Sequence, residues 1–114
     1  MVIQRKAMTT EVKEKMRGGE GHVDFVHLAN CETEKNIRML AEMTLQPGCS
    51  IGKHCHDKET EYFTVLSGSG MVNDDGKEMP VQAGDVIITG NGASHSVVNT
   101  GTVPLVLHAA IVTY

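Results

Sequence analysis

The stretch from Gly48 to Gly68 reads GCSIGKHCHDKETEYFTVLSG and carries two histidines followed by a glutamate. His54 and His56 are separated by one residue. On a strand, where alternate side chains point to opposite faces, both imidazoles therefore leave the same face. Four residues then separate His56 from Glu61, which is room for a short loop and a return onto the neighbouring strand. Two imidazoles beside a carboxylate suit a divalent first-row metal ion, so this spacing predicts a metal site.

A third histidine further along the chain is a candidate for the same site. His95 follows the turn-like Gly90-Asn91-Gly92 and could add a nitrogen ligand from a distant strand. A lone histidine on a strand is more often a satisfied or exposed polar residue than a ligand. From the residues alone, the pair His54 and His56 leaves both interpretations open.

The sequence on both sides of this stretch indicates an all-β chain. From Ile37 to Leu45, apolar residues mostly alternate with polar ones, a period of two that is typical of a strand with one buried face. Asp75-Gly76 predicts a tight hairpin, because this pair accepts the positive φ angles that such a turn needs. Turn signals roughly every 8 to 12 residues, without a long helix, favour a sandwich or barrel. Further strands are predicted at 22–28, 61–66, 71–73, 78–82, 86–89 and 105–112.

Composition limits the organisation of the chain. At 114 residues one domain is the default; we assign 1–20 to a polar N-terminal arm, with spacing compatible with a short helix, and 21–114 to the barrel. A net charge of -4 with scattered basic residues argues against a nucleic-acid partner. The first residues lack a long apolar core, so we expect no signal peptide and no membrane partner. Three cysteines without a repeated CxxC spacing are typical of reduced thiols, which predicts a cytoplasmic protein.

Two spaced motifs resemble those of a known family. Residues 48–68 are similar to the first cupin motif, G(X)5HXH(X)3-4E(X)6G, at every fixed position. Residues 84–99 resemble the second, G(X)5PXG(X)2H(X)3N, with His95 at its histidine. Gly90 stands where that motif usually has proline, a change that leaves the ligand position untouched.

The resemblance implies a single double-stranded β-helix, the jelly-roll barrel of the cupins, with a short N-terminal arm. It also implies that one divalent transition metal ion is held by His54, His56, Glu61 and His95. This donor set suits Mn, Fe, Ni, Co, Cu or Zn. Two coordination positions would remain for water, substrate or oxygen.

The resemblance leaves the reaction open, because cupins include dioxygenases, isomerases and lyases as well as binding proteins. The only arginines are Arg5, Arg17 and Arg38, and Arg38 alternates with the inward residues, so we expect no cation in the cavity to hold an anion. The leading hypothesis is a metal-dependent enzyme acting on a small, largely uncharged organic molecule, with Glu61 as the catalytic proton carrier. The alternative is a non-catalytic module that binds a small molecule or a metal ion.

Three further residues have roles that the sequence leaves open. Glu59 could be an alternative ligand, an acceptor for a histidine N–H or a solvated loop carboxylate. His108 is either a satisfied structural residue or part of the cavity wall. Cys49 is expected to be a small buried hydrophobe.

Apolar residues around Glu61 predict the character of the cavity and of the surface. Period two places Phe63 and Val65 on the same face as Glu61, with Met39 and Met43 opposite. We expect each of them to be a core residue in the first place, and otherwise part of the wall of a mostly apolar cavity. The run 105–112 is apolar almost throughout, which predicts a strand covered on both faces. Together with the arm it exceeds what one small barrel needs to cover itself, and this predicts a homodimer.

Overall fold

A computed structural model describes all 114 residues and contains ten strands in two antiparallel sheets. The six-stranded sheet contains, in spatial order, β1 (Thr9–Glu14), β2 (His22–His27), β3 (Ile37–Leu45), β10 (Leu105–Thr113), β5 (Glu59–Ser67) and β8 (Val86–Gly90). The four-stranded sheet contains β4 (Ser50–Cys55), β9 (Ser94–Val98), β6 (Ser69–Asp74) and β7 (Lys77–Gln82). The predicted all-β jelly-roll architecture is confirmed.

Side chains from both sheets form one hydrophobic core. Met43 and Leu107 enter it from the six-stranded sheet, and Ile51 and Val97 enter it from the four-stranded sheet. The period-two pattern explains this arrangement, because alternate residues of each strand face the opposite sheet. The core fills much of the barrel and leaves the metal-ligand candidates near one mouth.

The last strand departs from the prediction that both its faces are covered. β10 lies between β3 and β5, and its inward residues, from Leu105 to Ile111, are buried at alternate positions. The residues between them are only half-buried, and Val112 is 38% exposed. The apolar run therefore forms a central strand, but the outer face of this strand is open to solvent.

The N-terminal arm is also different from its prediction. Instead of a short helix, residues Thr9–Glu14 form β1, which pairs antiparallel with β2 and extends the larger sheet. The edge of β2 would otherwise present unpaired backbone groups, and the pairing of β1 satisfies them. His27 on β2 also bonds to Glu11 on β1, with 2.7 Å between Nε2 and Oε1.

Both helices are single 3₁₀ turns, Arg5–Ala7 and Met16–Gly18. Neither has the length and apolar character that a membrane-spanning helix requires.

The second of these 3₁₀ turns is pressed against β4, next to the candidate site. A Cβ atom on Gly52 would collide with the carbonyl oxygen of Arg17, so the two backbones can approach only because residue 52 is glycine. Lys15 and Arg17 both have left-handed backbone, with φ of 47° and 55°. This close packing holds two cationic residues of the arm at the mouth of the barrel.

Candidate metal centre

The four predicted ligands come together from both sheets. His54 on β4 lies directly opposite His95 on β9, and His56 follows β4 by one residue. Glu61 reaches the same point from β5 in the other sheet. One donor atom from each of the four residues lies within 4.8 Å of the other three, so this group could hold a metal ion.

The donor atoms converge at a separation that suits a single ion. The Nε2 atom of His95 lies 3.1 Å from the Nε2 atoms of both His54 and His56, and Glu61 Oε1 lies 3.1 Å from His56 Nε2 and from His95 Nε2. Ligand atoms in adjacent octahedral positions around a metal, each about 2.1 Å from it, are about 3 Å apart. His56, Glu61 and His95 are almost completely buried, whereas His54 is partly exposed at the mouth.

The other ring nitrogens explain why the donors fit a cation. His54 Nδ1 lies 2.8 Å from the carbonyl oxygen of Gly52, which can only accept, so Nδ1 carries the proton and Nε2 of the neutral ring carries a lone pair. His56 Nδ1 is bonded to Glu59 in the same way, and His95 Nδ1 lies 2.8 Å from Thr89 Oγ1. A metal ion could take the place of the protons that these Nε2 atoms share with one another and with Glu61 at 3.1 Å. The residues present therefore fit a divalent metal ion.

Electrostatics within the group favour neutral His54 and ionised Glu61. Burial lowers the pKa of His54, with the neighbouring His95 and His56 acting in the same direction. The hydrogen bond with Glu61 raises the pKa of His56. Burial alone would raise the pKa of Glu61, but its hydrogen bonds with His56 and His95 outweigh burial and lower it. Glu61 thus provides the negative charge that partly neutralises a bound dication.

Glu59 lies beside the four candidate ligands and is not one of them. Its Oε2 atom lies 2.5 Å from His56 Nδ1, and the guanidinium of Arg38 holds both its oxygens, with N···O distances of 2.7 Å. The hydrogen bond from Arg38 is the largest of the influences that lower the pKa of Glu59 to about 2. Of the roles left open by the sequence, the acceptor for a histidine N–H is therefore the one observed.

A cavity of about 450 Å³ is lined by three of the four donor residues, His54, His56 and Glu61. Its apolar wall includes Phe63, whose ring stacks on the imidazole of His95 with centroids 5.2 Å apart. The expectation that no cation reaches this cavity is wrong, because the arm folds across its mouth. The basic residues lining it are Lys13, Lys15, Arg17 and Arg38. A larger surface groove of about 640 Å³ between the arm and the β2–β3 loop contains none of the four candidate ligands.

The remaining candidates lie outside the cavity. His108 is half-buried between Glu42 and Thr64 of the adjacent strands and is not part of the cavity wall. Cys49 is buried in the core, as expected for a small hydrophobe. Met43 and Val65 belong to the core, the role that was favoured for them, whereas Met39 and Phe63 line the cavity.

Sequence reasoning missed the hydrogen-bond partners of two ligands and the basic residues of the rim. Thr89 and the Gly52 carbonyl had no distinguishing motif, although Thr89 lies opposite Glu61 in the β5–β8 pairing. Lys15 and Arg17 lie far from the ligands along the chain, and only the strand pairing of the arm brings them near. The glycines at 19 and 52 were the available signal, because a close backbone approach requires a residue without Cβ.

Comparisons with known proteins agree with this geometry. The Cupin domain family model matches residues 41–113, a span that contains all four donors. The chain is 42% identical over 113 residues to an oxalate-binding protein from Thermotoga maritima, covering 98% of this chain and 93% of the relative. A crystal structure from Thermotoga maritima, described as a predicted oxalate decarboxylase, has 40% identity, 100% coverage of both chains and a TM-score of 0.93.

The same fold extends to more distant proteins. A sugar phosphate isomerase of the cupin superfamily from Silicibacter pomeroyi has a TM-score of 0.79 and 18% identity, with 100% of this chain and 76% of that one covered. At this identity the likeness concerns the fold alone. The match to the family model over most of the chain and the shared structure both show that the chain belongs to the Cupin domain family.

Proposed function

We propose that this cupin binds one divalent transition metal ion through His54, His56, Glu61 and His95, and that it binds a small dicarboxylate such as oxalate beside that ion. The observation that carries the proposal is the convergence of three imidazole Nε2 atoms on one carboxylate, with neighbouring donors 3.1 Å apart. Such a group can hold a cation at its centre, and a cation held there would have open positions for ligand oxygens.

The rim of the cavity supports an anionic ligand. Arg38 is already neutralised by Glu59, and the Lys13 ammonium lies over the ring of Phe25, 4.7 Å from its centroid, whereas none of the ion pairs in the structure involves Lys15 or Arg17. Arg17 is close enough to the centre for its charge to contribute to lowering the pKa of His54. Uncommitted cations at the mouth of a cavity attract and orient carboxylates. The relative named for oxalate binding is consistent with this preference.

We also propose that the bound metal ion could support catalysis. When bound, the ion would supply a Lewis acid or an oxygen-activating centre. Glu61 is the candidate proton carrier, because its carboxylate is buried and in contact with two imidazoles. The apolar walls provided by Met39, Ile51 and Phe63 favour a second candidate, an oxygenase, isomerase or lyase acting on a small, largely uncharged organic molecule. A module that binds without turnover has the same geometry.

We also propose that the protein is a cytoplasmic homodimer. Tyr62 on β5 lies opposite Ile88 on β8, and these two residues are 41% and 60% exposed on the outer face of the larger sheet. Val86 adds a further 55% exposed apolar side chain on the same strand. A second copy could cover this face. Light scattering at micromolar concentration tests the proposal, and a monodisperse monomer of about 12 kDa would contradict it.

Oxalate titration of the protein tests the main proposal. Calorimetry should detect oxalate binding to metal-loaded protein and none to protein stripped by a chelator, because the ligand oxygens need the ion. The double variant His54→Ala, His56→Ala should bind neither stoichiometric metal nor oxalate. Metal retained by that double variant would show that the ion is held elsewhere. Formate and CO₂ released from bound oxalate would establish decarboxylation, and uptake of oxalate without products would favour the binding module.

A further inference from the structure

We propose that Glu59 is a positioning residue for the metal centre: it fixes the imidazole of His56 so that Nε2 faces the ion, and Arg38 fixes Glu59 in turn. The inference rests on the metal-binding part of the proposed function. It assigns a role to an ionic pair that lies outside the four ligands.

Local backbone geometry brings Glu59 back to His56. The two residues are three apart, and Lys58 between them has left-handed backbone with φ of 57°. The chain therefore reverses tightly between the end of β4 and the start of β5. The reversal places the Glu59 carboxylate against the Nδ1 edge of the imidazole, opposite the Nε2 edge that faces Glu61 and His95.

The contact selects one tautomer of His56. An ionised carboxylate can only accept a hydrogen bond, so Nδ1 must donate and carry a proton. In the neutral ring, Nε2 is then left with the lone pair that a metal ion requires. A carboxylate bonded to the far nitrogen also makes the ligand nitrogen more basic, which strengthens its bond to a metal.

Arg38 holds the carboxylate in a fixed orientation. Its Nε atom lies 2.7 Å from Glu59 Oε1, and its Nη2 atom lies 2.7 Å from Oε2, so the pair is bidentate. The Glu59 side chain is only 14% exposed, although that of Arg38 is 46% exposed. Glu59 Oε2 is thus shared between a guanidinium and an imidazole, which restricts the rotation of both the carboxylate and the ring.

Glu59 is not an alternative ligand in this arrangement. Its oxygens bond to the Nδ1 side of His56, whereas the group that could hold an ion consists of His54, His56, Glu61 and His95. Removing the Glu59 charge should therefore weaken metal binding while leaving all four donor residues in place. Loss of such an outer partner costs about 10- to 100-fold in metal affinity.

Glu59→Gln tests the inference, with Co²⁺ as the probe and a competing chelator as the reference. We expect about 10- to 100-fold weaker Co²⁺ binding, and a smaller loss in Arg38→Gln, which keeps the carboxylate but removes its support. Glu11→Gln is the matched control, since Glu11 bonds to a histidine on the surface, and Glu42→Gln removes a carboxylate from the other bidentate arginine pair. Both controls should keep wild-type affinity.

A second measurement uses no metal. Nitrogen-15 NMR of the imidazoles in metal-free protein at a pH where His56 is neutral should show His56 protonated at Nδ1 in the wild type and a mixture of tautomers in Glu59→Gln. Wild-type Co²⁺ affinity and an unchanged tautomer in a folded Glu59→Gln would overturn the inference. A third outcome separates the two proposals. If the wild type binds no metal, the metal function is refuted; if Glu59→Gln nevertheless loses the Nδ1 tautomer of His56, the positioning of that ring by Glu59 still stands.

Discussion

Two histidine–glutamate pairs occupy contrasting places in the molecule. His56 and Glu59 are 2.5 Å apart with side chains 2% and 14% exposed, whereas His27 and Glu11 are 2.7 Å apart with side chains 30% and 43% exposed. The free nitrogen of His56 faces another imidazole and a carboxylate at 3.1 Å, but the ring of His27 stacks on Phe25. A histidine–carboxylate contact is therefore not itself a metal site. Burial and the convergence of further donors make the difference.

Removing the histidine of each pair should give the largest difference in metal affinity. His56→Ala deletes a donor. Loss of an outer partner costs about 10- to 100-fold in metal affinity, and we expect the loss of a donor to cost more. His27→Ala removes a surface contact between β1 and β2 and should keep its metal. Elemental analysis of the purified variants, followed by Co²⁺ titration, measures both. Equal metal content in the two variants would remove the distinction between the pairs.

Metal removal should lower the stability of each protein that still binds the ion. A ligand that binds only the folded state adds about 2.7 kcal/mol at a hundredfold excess over Kd, and 1 kcal/mol shifts the Tm of a domain near this size by about 4 °C. A chelator should therefore lower the Tm of wild-type protein and of His27→Ala by about 10 °C. The Tm of His56→Ala should hardly change. Thermal melts with and without chelator measure the shift, and an equal shift in His56→Ala would contradict the assignment.

The donor residues could be predicted because their signals are local in sequence. Alternation on a strand places His54 and His56 on one face, and the motif spacing adds Glu61 and His95, all of which the structure brings together. The β3 strand was predicted with its observed bounds, Ile37–Leu45, because its period of two is nearly unbroken. The residues within each motif and within β3 are close neighbours along the chain, and the resemblance to the second motif supplied the distant His95.

The rim of the cavity could not be predicted because it depends on pairing between distant segments. Arg17 and Lys15 reach the mouth only after β1 pairs with β2 and the following turn packs on Gly52. The polar arm showed a spacing that was compatible with a helix, and tertiary pairing overrode that local preference. The expectation that no cation lines the cavity failed at Lys13, Lys15 and Arg17 because of this one missed strand.

Arg17→Gln tests the contribution of the rim with a smaller expected effect. Arg17 is exposed and in no ion pair, so its loss should weaken oxalate binding by about 3- to 10-fold, within the range of a partly screened charged hydrogen bond. Metal affinity should stay near that of the wild type, since the donors are unchanged. Arg5→Gln is the matched control, because Arg5 pairs with Glu42 outside the cavity. Calorimetry at two salt concentrations should show the difference shrinking at high salt, and equal oxalate affinity in both variants would exclude Arg17 from the site.

The smallest expected effect is on the acid stability of the metal-free protein. This measurement compares the Glu59 and Glu42 carboxylates without any ligand. The pKa of Glu59 is lowered from its usual 4.5 to about 2, chiefly by the hydrogen bond from Arg38. A carboxylate whose pKa is lower in the folded state contributes stability that is fully present above the unfolded pKa and is lost as pH falls through the folded pKa. The difference in unfolding free energy between wild type and Glu59→Gln should therefore shrink as pH falls from about 4.5 to about 2.

Glu42→Gln is the reference, because Arg5 lowers the pKa of Glu42 as well, but this guanidinium is 59% exposed and solvent screens the pair. Urea unfolding at a series of pH values measures both differences. A pH dependence as large for Glu42→Gln as for Glu59→Gln would show that burial at the metal centre adds nothing to the pair.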